Sequence, residues 1–190
     1  MIPWKWVVGI DYSMTCPAIS IINLDDTFSF ENVSLYYLSK KKPVTGPSNI
    51  CGSVAEDFES NEPRYDKISQ WAIDCIFQKT GGEATIYIED YSFGSKGKTF
   101  HIAENTGLLK HKLWQSHLPI NPVPPTVIKQ FGFGKGNAKK EQMYEAFFKE
   151  TQVPLMKMYQ PKAKKVGSPV GDLVDSYFIC KYGYEAMINT

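Results

Sequence analysis

Apolar positions along this chain gather into short dense blocks, each cut off by turn-forming residues. Residues 4–11 and 17–24 read as two β-strands. Residues 27–38 read as a third, with Phe28, Phe30 and the run from Val33 to Leu38 supplying β-branched and aromatic side chains. Asp25-Asp26 reads as a tight turn, so these blocks predict three antiparallel strands in succession. Residues 39–62 break the pattern with Lys40-Lys41-Lys42, Pro43, Gly46-Pro47 and Gly52, and read as a long exposed loop. Those three lysines either reach a ligand or decorate a loop that covers the sheet edge.

Pro63 suits the first position of a helix. Ile68, Trp71, Ala72, Cys75 and Ile76 then recur at i, i+3, i+4, i+7 and i+8, one buried face, and Gly81-Gly82 ends it. ATIYIE, residues 84–89, is a fourth strand, and SFGSKGK after it is a glycine-rich loop. Residues 99–117 are helical, with Ile102, Ala103, Gly107, Leu109, Leu113 and Trp114 as apolar or small positions. Residues 122–131 cross back, with VIKQF as the fifth strand, and GFGKG is a turn. Asn137 reads as the N-cap of a helix reaching Lys149. Ser168 and Pro169 suit the cap and first residue of a last helix, whose buried face would use Val174, Phe178 and either Ile179 or Tyr182. The order β-β-β-α-β-α-β-α-α predicts an α/β fold: a mixed five-stranded sheet, its first three strands antiparallel, flanked by helices in one domain spanning residues 1–190.

Composition fits that picture: 43% hydrophobic and 22% charged residues supply a real core. No apolar run is long enough to span a bilayer, and the first residues lack the pattern of a signal peptide. Cys16, Cys51, Cys75 and Cys180 are widely spread with no CxxC pair, so all four read as buried thiols in a reducing, cytoplasmic setting. The net charge of +1 conceals an asymmetry: residues 1–95 carry −6, residues 96–165 carry +9 and residues 166–190 carry −2. A basic middle points to a polyanion, although solvated surface lysine is the ordinary alternative.

Two strands end in a carboxylate after an apolar run, at Asp11 and at Glu89. Asp172 and Asp175 lie at i, i+3 near the start of the last helix and share one of its faces. A strand-end carboxylate is commonly a turn residue or an ion-pair partner, and Asp172 alone could serve the helix dipole. If the two strands are neighbours and the helix packs beside them, four carboxylates converge and repel unless cations hold them. All-oxygen ligands select Mg²⁺ or Mn²⁺. Two such ions about 4 Å apart can activate water and stabilise a leaving oxygen in phosphodiester hydrolysis.

At these positions the chain resembles the RuvC-type Holliday junction resolvases of the ribonuclease H-like superfamily, over residues 7–184, and the resemblance implies that the loop at 39–62 is an insertion. GIDYS matches the family's first strand and YIEDYSFG its second carboxylate strand. AENTGLLKHKL is similar to the helix that follows. VIKQFGFGKGNAKKEQM matches a VKQ strand, a glycine turn and a GxAxK helix start, and GDLVD the terminal DxxD. Asp11-Tyr12-Ser13 replaces the usual Asp-Pro-Gly and resembles phage-type members. The resemblance implies a ribonuclease H-like fold and metal-dependent resolution of four-way DNA junctions. Asp11, Glu89, Asp172 and Asp175 would hold two ions, with Lys129 and Lys140 acting at the bound phosphates and Lys140 counted with the catalytic set. Lys96, Lys98, Lys110 and Lys112 would flank the Glu89 loop, and Lys135 and Lys139 the GFGKG turn. Phe93, or Tyr91, would be the aromatic that probes the junction. It also implies a homodimer joined through residues 99–117 and the last helix.

GFGKG lacks the GxxxxGK[ST] spacing, which excludes a P-loop. His101, His111 and His117 have no metal-ligand spacing and read as polar helix surface, with His101 a possible DNA contact. A ribonuclease H acting on other branched DNA or on RNA–DNA hybrids, a non-cleaving junction-binding protein and an actin-like ATPase are the rival readings. The actin-like reading needs a longer chain.

Overall fold

Alternation along the first strand sorts the core into two layers. The computed structural model describes residues 4–90 and 99–189. In it, β1 (Trp6–Asp11) lies inside a six-stranded sheet of order β4-β3-β2-β1-β5-β6. Val7 joins one apolar cluster, and Val8 and Ile10 the other, because successive side chains on a strand face opposite ways. β2 (Ala18–Asn23) and β3 (Ser34–Ser39) continue antiparallel from β1. β4 (Ile50–Val54) runs parallel to β3 at one edge. After helix α1 (Asn61–Thr80), β5 (Ala84–Glu89) pairs parallel with β1 on its other side.

Helix α2 (Thr99–Gln115) packs with α1 over one face, where Ala72, Ile76, Leu109 and Leu113 meet Val8, Ile10 and Ile86. β6 (Ile120–Val123), α3 (Pro125–Phe133), α4 (Lys140–Thr151) and the short α5 (Leu155–Tyr159) follow. The last helix, α6 (Val170–Ile188), covers the other face with a nearly continuous buried surface, from Val170 through Tyr184.

The approach of α6 to β1 is unusually close, and glycine makes it possible. A Cβ on Gly9 would lie 2.2 Å from the Cys180 backbone nitrogen and 2.6 Å from the Ser176 carbonyl oxygen. A Cβ on Gly183 of α6 would lie 2.4 Å from the Tyr87 ring on β5. Ser20 and Ser176 share a buried 2.9 Å hydrogen bond between helix and sheet. Buried polar groups must be paired, so this bond fixes the helix in one register.

Several expectations fail for local reasons. The sheet has six strands rather than five. VIKQF is helical: it lies in α3, with Pro125 at the helix start and only Ile128 buried. The strand in that region is β6, whose Pro122 is tolerated because β6 is an edge. The insertion holds β4, an exposed edge strand, and its Cys51 is exposed rather than buried. Asp25-Asp26 does not close a tight hairpin: β3 begins only at Ser34, after a connection that puts Phe30 and Val33 into the core. Asn137 precedes the cap of α4, which is Lys139, and Pro169 rather than Ser168 caps α6. Val174, Phe178 and Ile179 are buried on α6, and Tyr182 is half-buried. Of the two helices read as dimer surfaces, α6 is mostly core, whereas α2 leaves Phe100 83% and Trp114 69% exposed.

Gly9→Ala should destabilise the protein by about 3 kcal/mol or more, because the methyl meets backbone rather than a movable side-chain tip. Thermal unfolding measures this, and an unchanged midpoint would mean that α6 is not seated on β1.

Candidate active site

Parallel pairing and the two-residue period of strands place the first two carboxylates. Ile10 of β1 is in register with Ile88 of β5, so Asp11 and Glu89 follow side by side at the carboxyl ends of adjacent parallel strands. Asp11 lies two residues beyond Gly9, on the face that α6 covers. The close seat of α6 then brings its first turn over the same strand ends, carrying Asp172 and, one turn later, Asp175. All four line one open cavity of about 720 Å³. Lys129 from α3, Lys139 and Lys140 from the start of α4, and Lys165 also line it.

The carboxylates pay for this crowding in their protonation. Burial raises Asp11 well above the usual carboxylate range, and the charges of Asp175, Glu89 and Asp172 add to it, with Lys140 opposing. Burial also raises Glu89, while Lys129 and Lys140 pull it down. Asp175 is pushed up to about 7, by burial first and then by Glu89. Lys140 sits 3.9 Å from Asp172 Oδ1. Burial disfavours its ammonium, but the four carboxylates, Asp172 foremost, outweigh that and raise its pKa. The Cys16 thiol beside them is raised by burial and by Asp172, so it is no nucleophile.

Asp172 is only 6% exposed, and its Oδ2 is buried with no hydrogen-bond partner among the described residues. A buried carboxylate oxygen without a partner is costly. As the side chains stand, no three Asp, Glu, His or Cys among the described residues form a ready-made metal cage. The residues nevertheless fit a hard divalent cation. The donors are all oxygen, one is orphaned, and Lys140 leaves the cluster's charge under-compensated.

The other sequence-derived positions divide. Lys129, Lys139 and Lys140 reach the cavity, whereas Lys135 is exposed in the turn between α3 and α4 and does not line it. Lys110 pairs with Asp90 at 3.8 Å, next to Glu89. Lys112 instead bonds Asp66 on α1 at 2.8 Å, away from the cavity. His101 is exposed beside Glu104. Phe93, Tyr91, Lys96 and Lys98 lie outside the described residues. Sequence reasoning missed Lys165 and Ser13 as cavity residues. The Lys164-Lys165 pair just before α6 was the available signal for the first. Ser13 accepts a hydrogen bond from the Cys16 backbone at 3.0 Å and shapes the turn after Asp11.

A folded-state pKa near 7 against 3.8 for an isolated Asp means that folded protein holds a proton which the unfolded chain releases in that interval. That stabilisation is complete below 3.8 and is lost as the pH rises through about 7. In metal-free buffer at pH 8, Asp175→Asn should therefore raise the unfolding midpoint by a few degrees, on the order of 1–3 kcal/mol. The gain should shrink at pH 5. A variant less stable than the parent at pH 8 would contradict the like-charge crowding described here.

No family model matches the sequence, and no curated protein matches it either. Solved structures do match. RuvC of Thermus thermophilus aligns at a TM-score of 0.60 and 15% identity, covering 97% of this chain and 97% of that one. T. thermophilus RuvC in complex with a Holliday junction substrate aligns at 0.61 and 14%, covering 96% of each chain. Over nearly its whole length, then, this chain has the fold of RuvC: a ribonuclease H-like α/β fold with a mixed six-stranded sheet.

Proposed function

We propose that this protein is a metal-dependent, structure-specific endonuclease that resolves four-way DNA junctions by paired phosphodiester hydrolysis. The observation that carries the reading is the convergence of Asp11, Glu89, Asp172 and Asp175 in one cavity bordered by lysines. Its RuvC fold supports the choice of substrate, since one of the matching structures is RuvC in complex with a Holliday junction substrate. The complete set of four carboxylates favours cleavage over mere binding.

Asp11, Glu89, Asp172 and Asp175 would hold two ions, Mg²⁺ or Mn²⁺. When bound, such ions supply a water nucleophile at neutral pH and charge stabilisation for the departing 3′-oxygen. The chain's own residues do the rest. Lys140 keeps its proton because the carboxylates hold it, so it presents a full charge to a phosphate oxygen. Lys129 does so from the Glu89 side of the cavity. Both offset charge that develops on the phosphate in the transition state. Lys139, Lys135 and the Phe93 segment with Lys96 and Lys98 extend the DNA contact.

Symmetric nicking of a junction requires two active sites related by a twofold axis. Phe100, Gly107 and Trp114 recur every seven residues and so share one stripe of α2. Phe100 and Trp114 are exposed, and nothing lies within 4 Å of a Cβ on Gly107. We assign this stripe to the contact between two copies. Trp114→Glu should convert a dimer to monomer in sedimentation velocity without lowering the unfolding midpoint. Parent and variant sedimenting alike would remove this surface from the proposal.

The decisive experiment is cleavage of a labelled synthetic four-way junction in Mg²⁺ or in EDTA, beside linear duplex, flap and RNA–DNA hybrid. Paired nicks confined to the junction and to Mg²⁺ are expected. Asp11→Asn should lower the rate by at least about a thousandfold while junction binding persists. Cutting of the hybrid alone would replace the resolvase with a ribonuclease H, and tight junction binding without cuts in either metal would make this a binding protein.

A further inference from the structure

A second cavity lies beside the candidate active site, and one loop separates the two. Residues 160–169 connect α5 to α6. Lys165 and Val166 in that loop line the carboxylate cavity. Lys162 and Ser168 in the same loop line another, of about 350 Å³, whose opposite wall is the insertion after β3 with Lys41 and Lys42. The loop is braced across its base. Gln160 Nε2 donates to the Ser168 carbonyl at 2.8 Å, and the Gly167 N–H donates back to Gln160 Oε1 at 3.1 Å.

The insertion is held down as well. Lys40 donates to Asp57, which ties the start of the insertion to its end. Gly46 packs onto the Tyr159 hydroxyl, where a Cβ would lie only 2.1 Å away. The Tyr159 ring meets Tyr37 edge-on, with centroids 6.0 Å apart. The Tyr159 hydroxyl is buried and has no hydrogen-bond partner among the described residues.

The charge of this cavity is one-sided. Lys41, Lys42 and Lys162 line it, and no acidic residue does. Among the described residues none of the three has an ion pair, whereas the neighbouring Lys40 has one. The three exposed ammonium groups around one hollow give it a positive potential that favours an anion. The fold brings them together from segments more than a hundred residues apart, so they do not follow from one basic stretch of sequence.

From this we infer that the cavity formed by Lys41, Lys42, Lys162 and Tyr159 is a second nucleic-acid contact, holding the sugar-phosphate backbone of a strand that continues past the 160–169 loop from the active site. This inference rests on the nuclease reading and extends it: the insertion after β3 becomes part of the substrate-binding surface. The lysines neutralise phosphates, and the loop's two faces guide one continuous strand. The contact is to backbone, so it adds affinity without base selection.

The test is the salt dependence of binding to a labelled four-way junction, for the full chain and for K41A/K42A/K162A. Each phosphate contact contributes about 0.9 to the slope of log K against log salt, so the triple variant should lose about 2 to 3 from that slope and bind about 10- to 100-fold more weakly. At sub-saturating junction in Mg²⁺ its cleavage should fall about 10- to 100-fold, in step with its binding. K41R/K42R/K162R should restore the slope. Equal slopes for parent and alanine variant would overturn this inference and leave the nuclease reading intact. A parent that binds no junction at all would overturn both.

Discussion

The site depends on one backbone contact, the seat of α6 against β1 at Gly9. A helix normally rides over a sheet on a cushion of side chains. Here glycine removes the cushion at the point where Cys180 and Ser176 cross the strand. The Ser20–Ser176 bond and the Gly183–Tyr87 contact stop the helix from rotating or sliding. Asp172, one turn before Ser176, and Asp175, directly before Ser176, are thereby delivered to the strand ends where Asp11 and Glu89 stand side by side. A cushioned helix would leave its carboxylates too far away to raise the pKa of Asp11 as they do.

That precision is gained at the expense of stability. Four carboxylates and one well-placed ammonium cannot satisfy one another, and the buried Asp172 Oδ2 is left without a partner among the described residues. Hydrophobic packing on both faces of the sheet supplies the compensating stability, through Val8, Ile10, Ile86 and Ile88 below and Val7, Tyr177 and Phe178 above. A strained, charge-rich centre inside an otherwise apolar frame is the arrangement expected where function rather than folding chose the residues.

Much of this was legible in the sequence, for a physical reason. Apolar runs that end in a carboxylate, VVGID and ATIYIE, are poor folding choices, and so they stand out. The i, i+3 pair on a helix start has a fixed geometry that needs no tertiary information. VIKQF misled because five residues with two β-branched side chains cannot distinguish strand from short helix. What decided it was Pro124-Pro125, which starts α3, and burial of Ile128 alone. β6 and β4 were invisible because both are edges: INPV carries a proline and ICGSV has no fully buried residue, so neither shows the buried alternation of an interior strand. Lys165 and the cavity at Lys162 were hidden for a different reason, since only the return of the 160–169 loop over the sheet end places them.

The uneven charge along the chain acquires a spatial meaning in this fold. Of the acids of the first half, Asp11 and Glu89 line the central cavity, while others pair basic neighbours, as Asp66 does with Lys112 and Asp57 with Lys40. Lysines of the basic middle segment surround that cavity from α3, α4 and the 160–169 loop. An anionic centre inside a cationic rim presents opposite demands: the rim attracts a polyanion, while the centre repels it until its own charge is offset. Such a site discriminates by order of events. Under the proposed function, Lys129 and Lys139 would hold a phosphate backbone at the rim, and a scissile group would approach Asp11 and Asp172 only once cations had balanced them. On the nuclease reading proposed above, the carboxylate cluster would serve both as the cation site and as the barrier that keeps bound nucleic acid intact while no cation is present.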